Sequence, residues 1–86
     1  MFSFSDTGWA EYLYWQTQDR KTLKKINNLL ESISRDGALN GLGKPEPLKF
    51  SKSGQCSRRI DEKNRLVYRV EGERVIIDGC RGHYED

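Results

Sequence analysis

The chain has little of what defines a disulfide scaffold, a zinc protein or a membrane protein. Its 86 residues include only two cysteines, one histidine and two prolines. With no Cys-x-x-Cys pair or Cys/His cluster, no metal site is predicted, and Cys56 and Cys80 are interpreted as reduced thiols of a cytoplasmic protein. No apolar run approaches the roughly 20 residues that a membrane helix needs. The first residues also lack the basic start and apolar stretch of a secretory signal, so no membrane association is expected.

The length predicts one small domain over residues 1–86. Charge is distributed unevenly along it, although the net charge is only +2. Residues 44–69 carry eight basic and three acidic groups, hence +5. A basic segment on a nearly neutral protein indicates a localised site for a polyanion, whereas the simpler interpretation is a solvated strand surface.

Two helices are predicted in the first half of the chain. Ser5 or Asp6 is expected to cap the first helix, with Trp9, Tyr12 and Leu13 as its apolar stripe. Asp19 is expected to cap the second helix, and the pair Asp36 and Gly37 to end it. The apolar stripe of this second helix comprises Leu23, Ile26, Leu30 and Ile33.

The second half of the chain is predicted to form strands. A loop is expected over residues 37–54, because Gly and Pro recur there. Strands follow over residues 55–60, 65–70 and 74–80, and a short edge strand over residues 1–5. The predicted fold is therefore α+β, in the order β-α-α-β-β-β, with both helices on one face of a twisted antiparallel sheet. The opposite face stays free and carries Arg65 and Arg69.

The polar residues suit one reaction class, the cleavage of RNA without a metal. A base removes the proton of the ribose 2′-OH, a cation stabilises the phosphorane and an acid protonates the 5′-oxygen. Glu46, Arg65 and His83 are able to fill those roles. Each also has a simpler interpretation: an exposed loop acid for Glu46, a partner of Asp61 or Glu62 for Arg65, and a solvated tail residue for His83. Without Gly-x-Gly-x-x-Gly or a P-loop, no cofactor is expected. From the residues alone, the function is therefore predicted only as far as an RNA-binding domain.

Taken in order, several segments resemble the YoeB toxin family, within the RelE-like ribosome-dependent ribonucleases of bacterial toxin–antitoxin systems. The matching segments are WAEYLYWQ at 9–16, KKIN at 24–27, GKPEPLK at 43–49, SRRI at 57–60, RLVY at 65–68 and CRGHY at 80–84. One departure is Cys56, which stands where an aromatic residue is expected. The resemblance implies a fold like that of the small microbial ribonucleases, in agreement with the periodicity.

The resemblance also implies roles for individual residues. Glu46 is expected to be the general base, Arg65 the phosphate stabiliser, His83 the general acid and Tyr84 the residue that orients the scissile nucleotide. Lys49 and Arg59 match family positions near the RNA backbone. The basic residues expected to bind RNA are Lys44, Lys49, Arg58, Arg59 and Arg69.

The implied function is cleavage of mRNA in the ribosomal A site, leaving a 2′,3′-cyclic phosphate and a 5′-hydroxyl and inhibiting translation. The implied partners are the 70S ribosome, a YefM-like antitoxin, a second copy in a homodimer and, only as a toxin–antitoxin complex, operator DNA. The alternative is a catalytically idle module that binds the antitoxin and nucleic acid and acts in operator autoregulation.

Overall fold

The architecture is known from a computed structural model that describes residues 2–51 and 53–82. Within these two ranges, two helices and five strands follow one another. Their bounds are β1 Phe2–Phe4, α1 Asp6–Gln18, α2 Arg20–Asp36, β2 Glu46–Pro47, β3 Cys56–Arg59, β4 Arg65–Glu71 and β5 Arg74–Gly79. The predicted strands at 55–60, 65–70 and 74–80 are confirmed to within one residue at each end. The α+β fold is confirmed as well.

The helix boundaries follow from short polar residues and one glycine. Ser5 Oγ accepts a hydrogen bond from the Gly8 N–H at 3.0 Å and caps α1. Asp19 accepts from the N–H groups of Lys21 and Thr22 and caps α2. Because side-chain oxygens satisfy amides that have no partner in the first turn, these caps fix where each helix begins. At its other end, α2 stops at Asp36 as predicted, and Gly37 follows with a φ of 95°.

The buried face of α1 differs from the predicted stripe. Trp9 and Leu13 are 48% and 41% exposed, whereas Trp15 is buried. α1 approaches the sheet at Gly8, where an added Cβ would lie 2.1 Å from the carbonyl oxygen of Ile77. This close approach sets the rotation of the helix, and it turns Trp15 inward in place of Trp9. The prediction for α2 holds better, since Ile26 and Ile33 are buried, and Leu23 and Leu30 are partly buried and packed against the core.

The sheet is mixed rather than antiparallel, in the order β1-β5-β4-β3-β2. β1 pairs with β5 in parallel, with Phe2 opposite Val75 and Phe4 opposite Ile77. The chain leaves β1 directly into α1, and the Ser5 N–H continues the ladder by donating to the Ile77 carbonyl at 2.9 Å. The remaining pairs are antiparallel. The expectation of a wholly antiparallel sheet is therefore wrong for its first strand.

A second difference lies in the segment that was predicted to be loop throughout residues 37–54. Glu46 and Pro47 form the edge strand β2, with Glu46 opposite Ser57 and Pro47 opposite Cys56. The Leu48 N–H donates to the Gln55 carbonyl at 2.9 Å, which extends the pairing into the following turn. Proline lacks an amide hydrogen and is tolerated on an edge strand, so β2 can carry it. Glu46 is consequently held in a strand position and not in a free loop.

The core lies between the two helices and the sheet face formed by Leu66, Tyr68 and Ile77. Both cysteines are free thiols and are buried there. Burial, and secondarily the charge of Glu11, raises the pKa of Cys80 to about 12. Burial also raises the pKa of Cys56, against a smaller opposing effect of the Arg58 charge. Over the described residues, no helix is long and apolar enough to cross a membrane.

Candidate active site

The open face of the sheet brings Glu46 and Arg65 together. Because Glu46 lies opposite Ser57 on β3, and Ser57 lies opposite Val67 on β4, the side chains of three strands share this face. Arg65 Nη2 donates to Glu46 Oε1 at 3.0 Å. The same guanidinium donates to Ser57 Oγ from Nε at 3.2 Å and from Nη2 at 3.0 Å. The simpler interpretation, in which Arg65 pairs with Asp61 or Glu62, is not what the structure has.

Asp61 is instead used within its own turn. Its Oδ1 accepts from the backbone N–H groups of Lys63 and Asn64, both at 2.8 Å. Partial burial raises the pKa of Asp61, but hydrogen bonds from the Asn64 side chain and from these two N–H groups together outweigh it, so the pKa is lowered. The turn is therefore closed by Asp61, and Arg65 is left to reach across the sheet to β2.

The pair combines an accessible carboxylate with a well-held cation. The Glu46 side chain is 58% exposed, whereas that of Arg65 is 13% exposed. Ser57, which positions Arg65, is fully buried. Sequence reasoning missed Ser57, although the pairing of strands 55–60 and 65–70 would have placed it on this face. The arrangement provides a base that solvent can reach beside a positive charge of fixed orientation.

The other predicted RNA-binding residues surround the pair unevenly. Lys44 and Lys49 are exposed on either side of β2, and Arg59 is exposed opposite Arg65 in the β3–β4 register.

The backbone that leads into β2 turns at two residues with positive φ: Gly43 has a φ of 83° and Lys44 a φ of 51°. An added Cβ at Gly43 would lie 2.7 Å from Leu29 Cδ2, so glycine is required where this segment passes over the core.

Arg69 shares the open face, but its charge is balanced by two acids. Its Nε donates to Asp78 Oδ2 at 3.0 Å, and its Nη1 forms an ion pair with Glu71. Gln55 Nε2 also donates to Asp78 Oδ2 at 2.9 Å. RNA would have to compete with Asp78 and Glu71 for this side chain.

The predicted RNA contact of Arg58 is wrong, because this residue is fully buried. Its side chain points to the helix side of the sheet, away from Glu46, as alternation along a strand requires. Nη2 donates to the carbonyls of Gly37 and Asn40, both at 2.7 Å. The further acceptors of the guanidinium are the Ser32 and Tyr68 hydroxyls and the carbonyls of Leu42 and Ala38.

This buried cation organises the segment that leads to Glu46. Ser32 Oγ accepts from Arg58 and donates to Asp36 Oδ2 at 2.9 Å, which links the buried charge to a carboxylate. Hydrogen bonds from Arg35 first, and then Ser32, lower the pKa of Asp36, and the Arg58 charge adds to this. Residues 37–42 are thereby hydrogen-bonded to β3 and the core. Arg58 thus stabilises, from the helix side of the sheet, the segment that leads to Glu46.

The C-terminal tail begins beside Arg65. The Arg65 N–H donates to the Gly82 carbonyl at 3.0 Å, and the Gly82 N–H donates to Asn64 Oδ1 at 2.8 Å. The predicted catalytic residues His83 and Tyr84 lie outside the described residues. The residue that precedes them is therefore fixed at the start of β4. Asn64 was not singled out from the sequence.

Comparisons with known proteins agree with this fold. Residues 4–84 match the model of a family described as YoeB-like toxin of bacterial type II toxin–antitoxin system. The Toxin YoeB of Escherichia coli strain K12 is 48% identical over 81 residues, which cover 94% of this chain and 95% of that protein.

Two solved structures from Staphylococcus aureus are also similar. A YoeB dimer has a TM-score of 0.90 at 48% identity, covering 96% of this chain and 95% of that one. A YoeB–YefM complex has a TM-score of 0.90 at 46% identity, covering 98% and 97%. The protein is thus a toxin of a bacterial type II toxin–antitoxin system. Within that class, the chain belongs to the YoeB-like toxin family.

Proposed function

We propose that this toxin is an endoribonuclease that cleaves mRNA in the ribosomal A site. The observation that supports this most directly is the pairing of Glu46 and Arg65 at 3.0 Å on an open sheet face. A carboxylate that solvent can reach is suited to accept a proton, and an adjacent guanidinium is suited to hold a phosphate. When a phosphodiester takes the place of Glu46 as the partner of Arg65, the carboxylate and the guanidinium both contact that phosphodiester linkage.

In the proposed reaction, Glu46 takes the proton of the ribose 2′-OH. The 2′-oxygen then forms a bond to phosphorus, and the bond from phosphorus to the 5′-oxygen breaks. His83 gives the leaving 5′-oxygen its proton, so that a 2′,3′-cyclic phosphate and a 5′-hydroxyl result. Arg65 stabilises the charge on the phosphorane, and Tyr84 orients the nucleotide. Because the nucleophile belongs to ribose, DNA is not a substrate.

Binding of the message is assigned to the exposed cations around this pair. Lys44, Lys49 and Arg59 neutralise phosphates, and Arg69 joins them if RNA displaces its acidic partners. These contacts position the strand but read little sequence. The 70S ribosome supplies the orientation that so small a site lacks, and orientation alone is worth several orders of magnitude in rate.

The partners are proposed from the solved relatives. By analogy with the YoeB–YefM complex, an antitoxin of the YefM kind binds this toxin. Operator DNA is proposed as a partner of the toxin–antitoxin complex only. By analogy with the YoeB dimer, the free toxin forms a homodimer.

The test is cleavage of a defined message on translating 70S ribosomes, followed by chemical analysis of the new ends. We expect 2′,3′-cyclic and 5′-hydroxyl ends from the wild type, and a loss of at least about 100-fold in rate for Glu46→Gln and His83→Ala. Glu62→Gln, an exposed acid of the turn before β4, is the matched control and should cleave normally.

Other ends, such as 3′-phosphate produced directly with a 5′-hydroxyl, would contradict attack by the 2′-oxygen. If the wild type leaves the message intact but still binds its antitoxin, the catalytically idle module is the correct function.

A further inference from the structure

Helix α1 presents three side chains to the two residues that follow β5. Trp15 Nε1 donates to the Cys80 carbonyl at 2.9 Å. Glu11 Oε1 accepts from the N–H groups of Cys80 at 2.8 Å and of Arg81 at 3.2 Å. The Arg81 guanidinium lies over the Tyr14 ring, 3.7 Å from its centroid. Residues nearly seventy positions apart in the chain are joined here.

These contacts supply hydrogen bonds to the backbone beyond the end of β5, where the strand ladder no longer provides them. β5 stops at Gly79, so the next two amides fall outside the ladder, yet Cys80 is completely buried. Buried amides need partners, and hydrogen bonds from backbone N–H groups to a carboxylate are stronger than those to a neutral acceptor. Glu11 therefore defines the direction in which the chain leaves β5.

That direction matters because the chain reaches the proposed general acid three residues later. Gly82 is held by hydrogen bonds to Arg65 and Asn64. Cys80 and Arg81 are held by side chains of α1. The backbone of residues 80–82, which precedes His83 in the chain, is thus held by contacts with α1 on one side and with β4 and its turn on the other. A misplacement of about 1 Å in a catalytic group can cost on the order of 100-fold in rate.

We infer that Glu11 is a positioning residue for cleavage, which acts by fixing the backbone of Cys80 and Arg81, from which the chain continues to His83. The inference rests on the function proposed above. Because the Glu11 carboxylate is used to accept hydrogen bonds from backbone N–H groups, its loss should lower the maximal rate and leave binding of the ribosome unchanged.

The experiment compares Glu11→Ala, Glu11→Gln and Glu31→Ala in single-turnover cleavage on programmed ribosomes. Glu31 is an exposed acid of α2, so its removal is a control for the same change in charge. We expect Glu11→Ala to lower the maximal rate by about 10- to 100-fold at an unchanged half-saturating ribosome concentration. Glu11→Gln keeps an acceptor oxygen and should recover most of the rate.

A double mutant separates positioning from a general loss of structure. In a His83→Ala background, Glu11→Ala should change the residual rate by less than twofold, since the group that it positions is gone. Amide hydrogen exchange gives a second measurement: exchange should speed up at Cys80 and Arg81 in Glu11→Ala but not in the β4 strand.

The inference is overturned if Glu11→Ala cleaves like Glu31→Ala while His83→Ala is inactive. It is also overturned if the two substitutions are additive, or if exchange at Cys80 and Arg81 is unchanged. If His83→Ala itself cleaves normally, the proposed role of His83 fails instead, and the exchange measurement still reports whether Glu11 holds the backbone of Cys80 and Arg81.

Discussion

Arg65 and Glu46 form an ion pair although 19 positions separate them in the chain. Three adjacent strands are needed to bring them together, because β3 lies between β2 and β4 and supplies Ser57 as the second support of the guanidinium. The pair is therefore a product of strand register and not of local sequence. Substitutions that change this geometry should therefore lower the rate of the proposed cleavage more than they lower the stability of the fold.

Arg65→Lys tests the geometry of the cation. Lysine keeps the charge but cannot donate to Ser57 and Glu46 from a planar fork, so we expect cleavage to fall by about 100-fold or more. The measurement is single-turnover cleavage on ribosomes. Arg74→Lys, at an exposed position of β5, is the control and should leave the rate unchanged. Equal rates for the two variants would show that charge alone suffices at Arg65.

Arg58→Met tests the buried cation behind the site. Methionine fills much of the volume but leaves the carbonyls of Gly37, Asn40 and Leu42 without their donor. Breaking a buried charged network typically costs about 3–5 kcal/mol of unfolding free energy. Urea denaturation measures this loss. At the exposed neighbour Arg59, the same substitution should change the unfolding free energy by no more than about 0.5 kcal/mol.

Gly8→Ala should destabilise the protein, although alanine is favoured over glycine inside most helices by about 1 kcal/mol. The added Cβ would lie 2.1 Å from the Ile77 carbonyl oxygen, and backbone cannot move aside as a flexible side chain does. We expect a loss of about 1–3 kcal/mol, measured by urea denaturation. Thr7→Ala on the exposed side of α1 is the control. An increase in stability for Gly8→Ala would show that α1 does not pack so closely on β5.

Cys80 should make the stability fall at alkaline pH. Its pKa is raised to about 12 by burial first and by the charge of Glu11 second, from an ordinary thiol value of 9.0. Because the native state keeps the thiol proton more tightly, the stabilisation is full below pH 9 and is lost as the pH rises toward 12. Denaturation midpoints between pH 8 and 11 should show this decline. In Cys80→Ala, the denaturation midpoint should fall less steeply as the pH rises. An unchanged slope would show that other groups cause the decline, such as Tyr68, whose pKa burial also raises.

Local signals in the sequence predicted the local features of the fold well. Asp19 and Gly37 mark the ends of α2 because a cap needs only a short side chain and a stop needs only a residue with access to positive φ. The three C-terminal strands follow from alternation and turn residues. These features depend on near neighbours, which a single sequence displays.

Features that depend on distant contacts were not predictable in the same way. The rotation of α1 is set by Gly8 against Ile77, so the aromatic residues Trp9 and Trp15 could not be assigned to the surface and the core by spacing alone. Alternation predicts that Arg58 and Arg59 face opposite ways, but it does not say which one is buried. In the site, Glu46 and Arg65 were candidates from their chemistry and from the family resemblance, whereas their direct contact and the contributions of Ser57 and Asn64 depend on the strand register.

The parallel pairing of β1 with β5 also affects when the fold can close during synthesis. Phe2 must wait for Val75 to be made, and Trp15 for Cys80. Contacts of such long separation form late, since the intervening chain must first be ordered. During synthesis, the first strand therefore stays without its partner until β5 has been made.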